Sequence, residues 1–276
     1  MGIVAFLHRW TGGLIGLLLA ALGLSGAILA HKDLWIGIDG SRDIRPATLE
    51  SNSQLIEKLT LNGAEVPDYI LLASDNFGLH RLSYKNDGGA YANHAGQIVE
   101  KWDSVWDRPE VWLFDFHHHF FAGDLGELAA GILALIGLAF VITGALLWWQ
   151  TRRTFALRLW PARMSRSAII RHHRDLGIIM SPFLFLSCLT GAMLTLKPVT
   201  AILLSPFSSA ADMTSAVKPP SETGGVWTEN FNWRPVLTTV EQRFPDAEVR
   251  IIIMPKKPGD LIAVRAKQPS EWLPNG

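Results

Sequence analysis

Two stretches of the chain spell the same pattern. His8-Arg9-Trp10-Thr11-Gly12 and His173-Arg174-Asp175-Leu176-Gly177 both read H-R-x-x-G, and each stands at the polar mouth of a long apolar run. The match extends inward, because Leu24-Ser25-Gly26-Ala27 follows His8 at the same offset as Leu189-Thr190-Gly191-Ala192 follows His173. An internal repeat of this kind constrains the architecture before any other feature. It predicts two like helices, each with a histidine at the same depth, and so one ligand held between them. His8, Gly12 and Gly16 share a helical face at i, i+4, i+8, as do His173, Gly177 and Ser181. Small residues beneath a ligand would leave a flat slot, although such a stripe also serves close helix packing.

The apolar runs are long enough to cross a bilayer, which takes about 20 residues. Ile3 to Ala30 is the first, and no A-x-A site precedes His31, so an uncleaved anchor is expected rather than a signal peptide. Leu125 to Trp149 is the second and Leu176 to Leu196 the third. A charged fraction of 18% is low for a soluble protein and agrees with a membrane location. The loop after Trp148-Trp149 holds seven arginines from Arg152 to Arg174 with no acid before Asp175, whereas the segment from His31 to Asp115 has more acids than bases. The positive-inside rule then places the N-terminus and the 151–173 loop in the cytoplasm.

Between the first and second spans, Ser51 to Thr60 is predicted as a helix, Tyr69 to Leu72 and Leu79 to Tyr84 as strands, and Tyr91 to Val99 as a hairpin. After a Pro/Ser/Ala-rich linker from Lys197 to Gly225, Pro235 to Phe244 is predicted as helix. Ala247 to Met254 and Leu261 to Ala266 follow as strands joined by Pro258-Gly259-Asp260. The second series repeats the first and stops at the turn dipeptide Asn275-Gly276. The expectation is a truncated form, lacking a hairpin and a fourth span.

Seven of the nine histidines lie at span ends: His8, His31, His117, His118, His119, His172 and His173. Ionisable groups there point to function. The predicted topology sorts His172 and His173 with His8 on the inner side, and His117 to His119 with His31 on the outer side. A haem held by His8 and His173 suits two imidazoles facing each other across helices with small residues below. Arg9, Arg171 and Arg174 could pair with its propionates. His80 and His94 fall in the polar module and are expected to be ordinary surface residues. The lone Cys188 excludes an internal disulfide and any cysteine-based cluster. No phosphate-binding glycine loop or H-E-x-x-H motif occurs, and nucleic acid is not an expected partner.

Leu7-His8-Arg9-Trp10-x-Gly12, Phe116-His117-His118-x-x-Phe121-x-Gly123, Ile142-Thr143-Gly144-x-x-Leu147-Trp148 and His173-Arg174-x-x-Gly177 together resemble the PepSY-associated transmembrane proteins. The resemblance implies an α-helical membrane protein with α+β PepSY-like extracytoplasmic modules. Its expected parts are a span at 1–30, a module at 31–115, a span at 116–150, an Arg-rich loop at 151–173, a span at 174–197, and a linker with a second, incomplete module at 198–276. It also implies a multi-pass protein of the bacterial inner membrane that carries two haem b groups. His8 and His173 match the inner ligands and His117 the outer one, with His31, His118 and His172 as further candidates. The implied activity is electron transfer from a cytoplasmic donor to periplasmic ferric siderophore or ferric iron. A haem-free membrane anchor whose modules bind a periplasmic partner is the alternative.

Overall fold

A computed structural model of the chain describes residues 2–61, 65–209, 211–212, 215, 223–224, 231–257 and 259–272. In chain order the described helices are α1 (Gly2–Ala30), α2 (Lys32–Trp35), α3 (Leu49–Thr60), α4 (Pro109–His119), α5 (Gly123–Thr151), α6 (Arg166–Thr195), α7 (Lys197–Leu204) and α8 (Arg234–Arg243). The strands are β1 (Tyr69–Leu71), β2 (His80–Ser83), β3 (Gly89–Ala92), β4 (Ile98–Trp102), β5 (Glu248–Ile253) and β6 (Ala263–Lys267). The chain divides into two units, Met1–Ala30 with Leu113–Lys218, and His31–Trp112 with Pro219–Gly276.

The first unit spans the membrane. Helices α1, α5 and α6 have 29, 29 and 30 residues, or roughly 43–45 Å at the α-helical rise, enough to cross the hydrocarbon core with turns to spare. Their large apolar side chains point outward: Leu14, Leu17 and Leu194 are each 80% exposed or more. Such a surface is stable only against lipid. α5 packs against both α1 and α6, while α1 and α6 scarcely touch one another.

Two boundaries differ from the apolar pattern. The predicted 116–150 span is two helices, because Phe120, Phe121 and Gly123 take positive φ (47°, 61° and 54°) and break the chain between α4 and α5. A Cβ on Gly126 would land on the His119 carbonyl, so only glycine lets α5 fold back this tightly on the end of α4. At the other end α6 begins at Arg166, well before the apolar residues, and shortens the Arg-rich loop. Asp175, fully buried, holds that loop. Its carboxylate accepts from Arg158, from Arg174 Nε at 2.7 Å and from the Ala156 backbone N–H.

In the second unit the two expected modules form one. All six strands belong to a single antiparallel sheet of order β4-β3-β2-β1-β5-β6, in which β5 pairs directly with β1. The predicted strand and helix positions hold, but the segment after residue 230 completes the first module instead of building another. The reason is apolar burial. Ile56 on α3, Ile70, Leu82 and Ile252 on the sheet and Trp233 just before α8 share one core. The first residues of the expected linker are helical, as α7. Most of 210–230, and the Pro258 and Asn275-Gly276 turn residues, lie outside the described residues.

Trp233 is fully buried in this shared core, and its backbone N–H donates to Glu57 Oε1. Trp233→Ala should cost the unit about 3–5 kcal/mol. Hydrogen exchange should show β1 and β2 amides losing protection together with β5. Loss confined to β5 and β6 would contradict a common core.

Candidate functional site

At one end of the membrane unit, His8 meets two helices. Its Nδ1 is 2.9 Å from Thr143 Oγ1 on α5. The Thr143 hydroxyl already donates its only proton to the Ala139 carbonyl at 2.7 Å, one turn back. It can therefore only accept from the ring, so His8 carries its proton on Nδ1 and leaves the Nε2 lone pair free. Gly144 lies beside it, where a Cβ would stand 3.4 Å from His8 Cε1. Phe140 covers the ring edge-on at 5.6 Å between centroids.

His173 on α6 faces this group. The His8 and His173 ring centroids are 6.5 Å apart and their planes are inclined by 56°. Two imidazoles on one metal, with bonds of about 2.0–2.1 Å each, have centroids roughly 6 Å apart. The donor set and its spacing thus fit a bis-histidine haem. Below the pair, a Cβ built on Gly12, Gly16 or Gly177 would find nothing within 4 Å. These glycines are not spent on close packing between described helices.

His172 turns the other way and donates Nε2–H to the Leu159 carbonyl at 3.0 Å. Arg174 is occupied by Asp175 and by the Thr154 carbonyl and hydroxyl. Arg9 and Arg171 remain exposed at the same end.

The other end of α1 repeats the device. His117 on α4 has Nδ1 2.9 Å from Ser25 Oγ, and Ser25 donates its proton to the Leu22 carbonyl. His117 is thus seated by Ser25 through Nδ1 and also meets the Leu22 carbonyl. A Cβ on Gly26 would come within 2.8 Å of His117 Cε1, so the glycine admits the ring. His118 stacks on Phe114 at 4.2 Å, and His119 Nδ1 is 3.0 Å from Asp115 Oδ1. His31 closes α1 and precedes α2, in the extramembrane unit.

The sequence reading missed the hydroxyl–glycine pairs. Their signal was present: Leu24-Ser25-Gly26-Ala27 and Ile142-Thr143-Gly144-Ala145 are the same tetrapeptide in kind, and each seats one histidine. The third copy, Leu189-Thr190-Gly191-Ala192, has Thr190 exposed and donating to Leu186, with only Ala134 Cβ near Gly191. One further histidine departs from expectation. His80 is 4% exposed rather than on the surface, accepts from the Ala73 N–H, and stands 5.2 Å from the His94 ring. Burial, His94 and Arg250 push its pKa down to about 3, so it is neutral. Among the described residues no three His, Cys, Asp or Glu side chains are grouped to hold a bare metal ion.

The model of the family described as the PepSY-associated TM region matches residues 5–253. No curated protein matches the chain.

Proposed function

Because the chain belongs to the PepSY-associated TM region family, we propose that it is a haem protein that carries electrons across a bacterial inner membrane. The observation that carries this reading is the His8–His173 pair, with one ring already committed through Nδ1 to Thr143. Haem bound there would supply a one-electron carrier. His8 and His173 would hold its iron, Thr143 holds the His8 ring through Nδ1, and Phe140 covers that ring on one side. At the opposite end of α1, His117, oriented by Ser25, or His118 next to it, would offer a ligand to a second haem.

The arginines of the loop set the orientation, with the His8 end in the cytoplasm beside an electron donor. The acceptor at the other face is ferric siderophore or ferric iron, whose reduction weakens binding by hard oxygen ligands. Protein purified in detergent should show a sharp Soret band and, on reduction, resolved α and β bands. A protein that stays colourless after expression with ample haem would overturn the reading in favour of a membrane-anchored module that binds a periplasmic partner.

A further inference from the structure

The extramembrane unit has a feature that electron transfer does not use. A small cleft of about 50 Å³ is lined by Lys32, Asp33, Ser74, Arg81 and Arg250 over an apolar floor that includes Ile36 and Leu79. The sheet puts the arginines there. Arg81 on β2 lies directly across from Leu71 on β1. Arg250 sits where the β5–β6 register slips between Val249 and Ile251, on the other side of β1. A slip of this kind re-aims a side chain, often beside a functional site. Lys32 comes from α2.

Three cations line the cleft with one acid, Asp33, while Glu110, bonded to the lining Tyr91 hydroxyl, also acts on Lys32. Arg250 is held by Glu248 and the Ala73 carbonyl. Lys32 and Arg81, among the described residues, have no carboxylate within ion-pairing distance. Arg81 rests on the Trp102 ring at 5.8 Å, and its Nε–H is buried with no acceptor. Ser74 Oγ accepts from the Asn76 and Phe77 backbone N–H groups, which leaves its own proton to donate. Burial, and then Arg81, lower the Lys32 pKa, while Asp33 and Glu110 oppose this. Lys32 and Arg81 are held near one another without a direct ion pair, and an oxyanion between them would relieve their repulsion. An orphaned buried donor also costs free energy.

We propose that this cleft binds an oxyanion, the carboxylate or phosphate group of a small molecule or lipid headgroup, through Lys32, the Arg81 guanidinium and the Ser74 hydroxyl. The cleft admits one such group. Binding neutralises the Lys32–Arg81 repulsion. The proposal does not depend on haem.

The test is titration of the whole protein in neutral detergent with inorganic phosphate and with citrate, following the Arg81 Nε–H resonance and binding heat. In a second arm, the protein is placed in nanodiscs with and without phosphatidylglycerol. Saturable binding is expected in at least one arm, and which arm responds identifies a soluble or a lipid source. Arg81→Gln and Lys32→Gln should each weaken binding about tenfold or more, while Arg45→Gln, an exposed cation outside the cleft, should not. No saturable binding in either arm, or an equal loss in Arg45→Gln, would overturn the proposal.

Discussion

Alanine at position 8 should strip one haem from the protein, and alanine at position 173 should strip the same one. Each substitution removes one of two imidazoles whose rings are 6.5 Å apart. A haem left with a single ligand loses its low-spin signature and most of its affinity. Haem per chain should fall to about half in either variant, and the double variant should lose no more than the singles, since the two ligands act as one site. His117→Ala should spare this haem. Its ring sits against Ser25, which is roughly 25 Å from His8 along α1 at the α-helical rise. His172→Ala should also change little, because that Nε2 is committed to the Leu159 carbonyl. Haem quantitation with low-temperature EPR of the four variants checks the set. If the position 8 and position 173 variants lost different haems, the pairing would fail, whatever the total content.

Why this pair could be anticipated and other details could not is a matter of which forces leave a mark on one sequence. Burial in lipid demands long apolar runs, so α1, α5 and α6 were visible. The repeat keeps its spacing, so His8 and His173, whose rings lie 6.5 Å apart, stood out as a pair. The strands of the polar unit also showed their alternation and turns. Sheet pairing was hidden. That β5 joins β1 depends on Trp233 and Ile252 filling a core with Ile56 and Leu82, and contacts between segments so far apart leave no local periodicity. The break at Phe120–Phe121 was hidden too, because two aromatic residues at positive φ contradict their own preferences and are held by context. His80 looked like a surface residue because a single buried histidine has no pattern. Asp175 was read only as the end of a basic loop, although two arginines and a backbone N–H converge on it.

Thr143→Val should then loosen the inner haem without removing either ligand. Valine keeps the shape of threonine but cannot accept from His8 Nδ1–H. The proton loses the partner that fixes the tautomer, so part of the population places it on Nε2, where it blocks iron. Loss of such an outer partner typically weakens metal binding about 10- to 100-fold. The reduction potential should also rise, because an imidazole that donates to an acceptor is more electron-rich and favours ferric iron. Thr143→Ser keeps the oxygen and should restore both properties, which a packing effect alone would not do. Nitrogen-15 spectra of the haem-free protein offer an independent reading: His8 should be the Nδ1–H tautomer in the parent and a mixture in Thr143→Val. Ser25→Ala should loosen the seat of His117 and leave His8 alone, since Ser25 Oγ meets His117 Nδ1 as Thr143 Oγ1 meets His8 Nδ1. An unchanged tautomer and potential in Thr143→Val would mean that the hydroxyl merely fills space, and the ring would have to be oriented by Phe140 and the Gly144 contact instead.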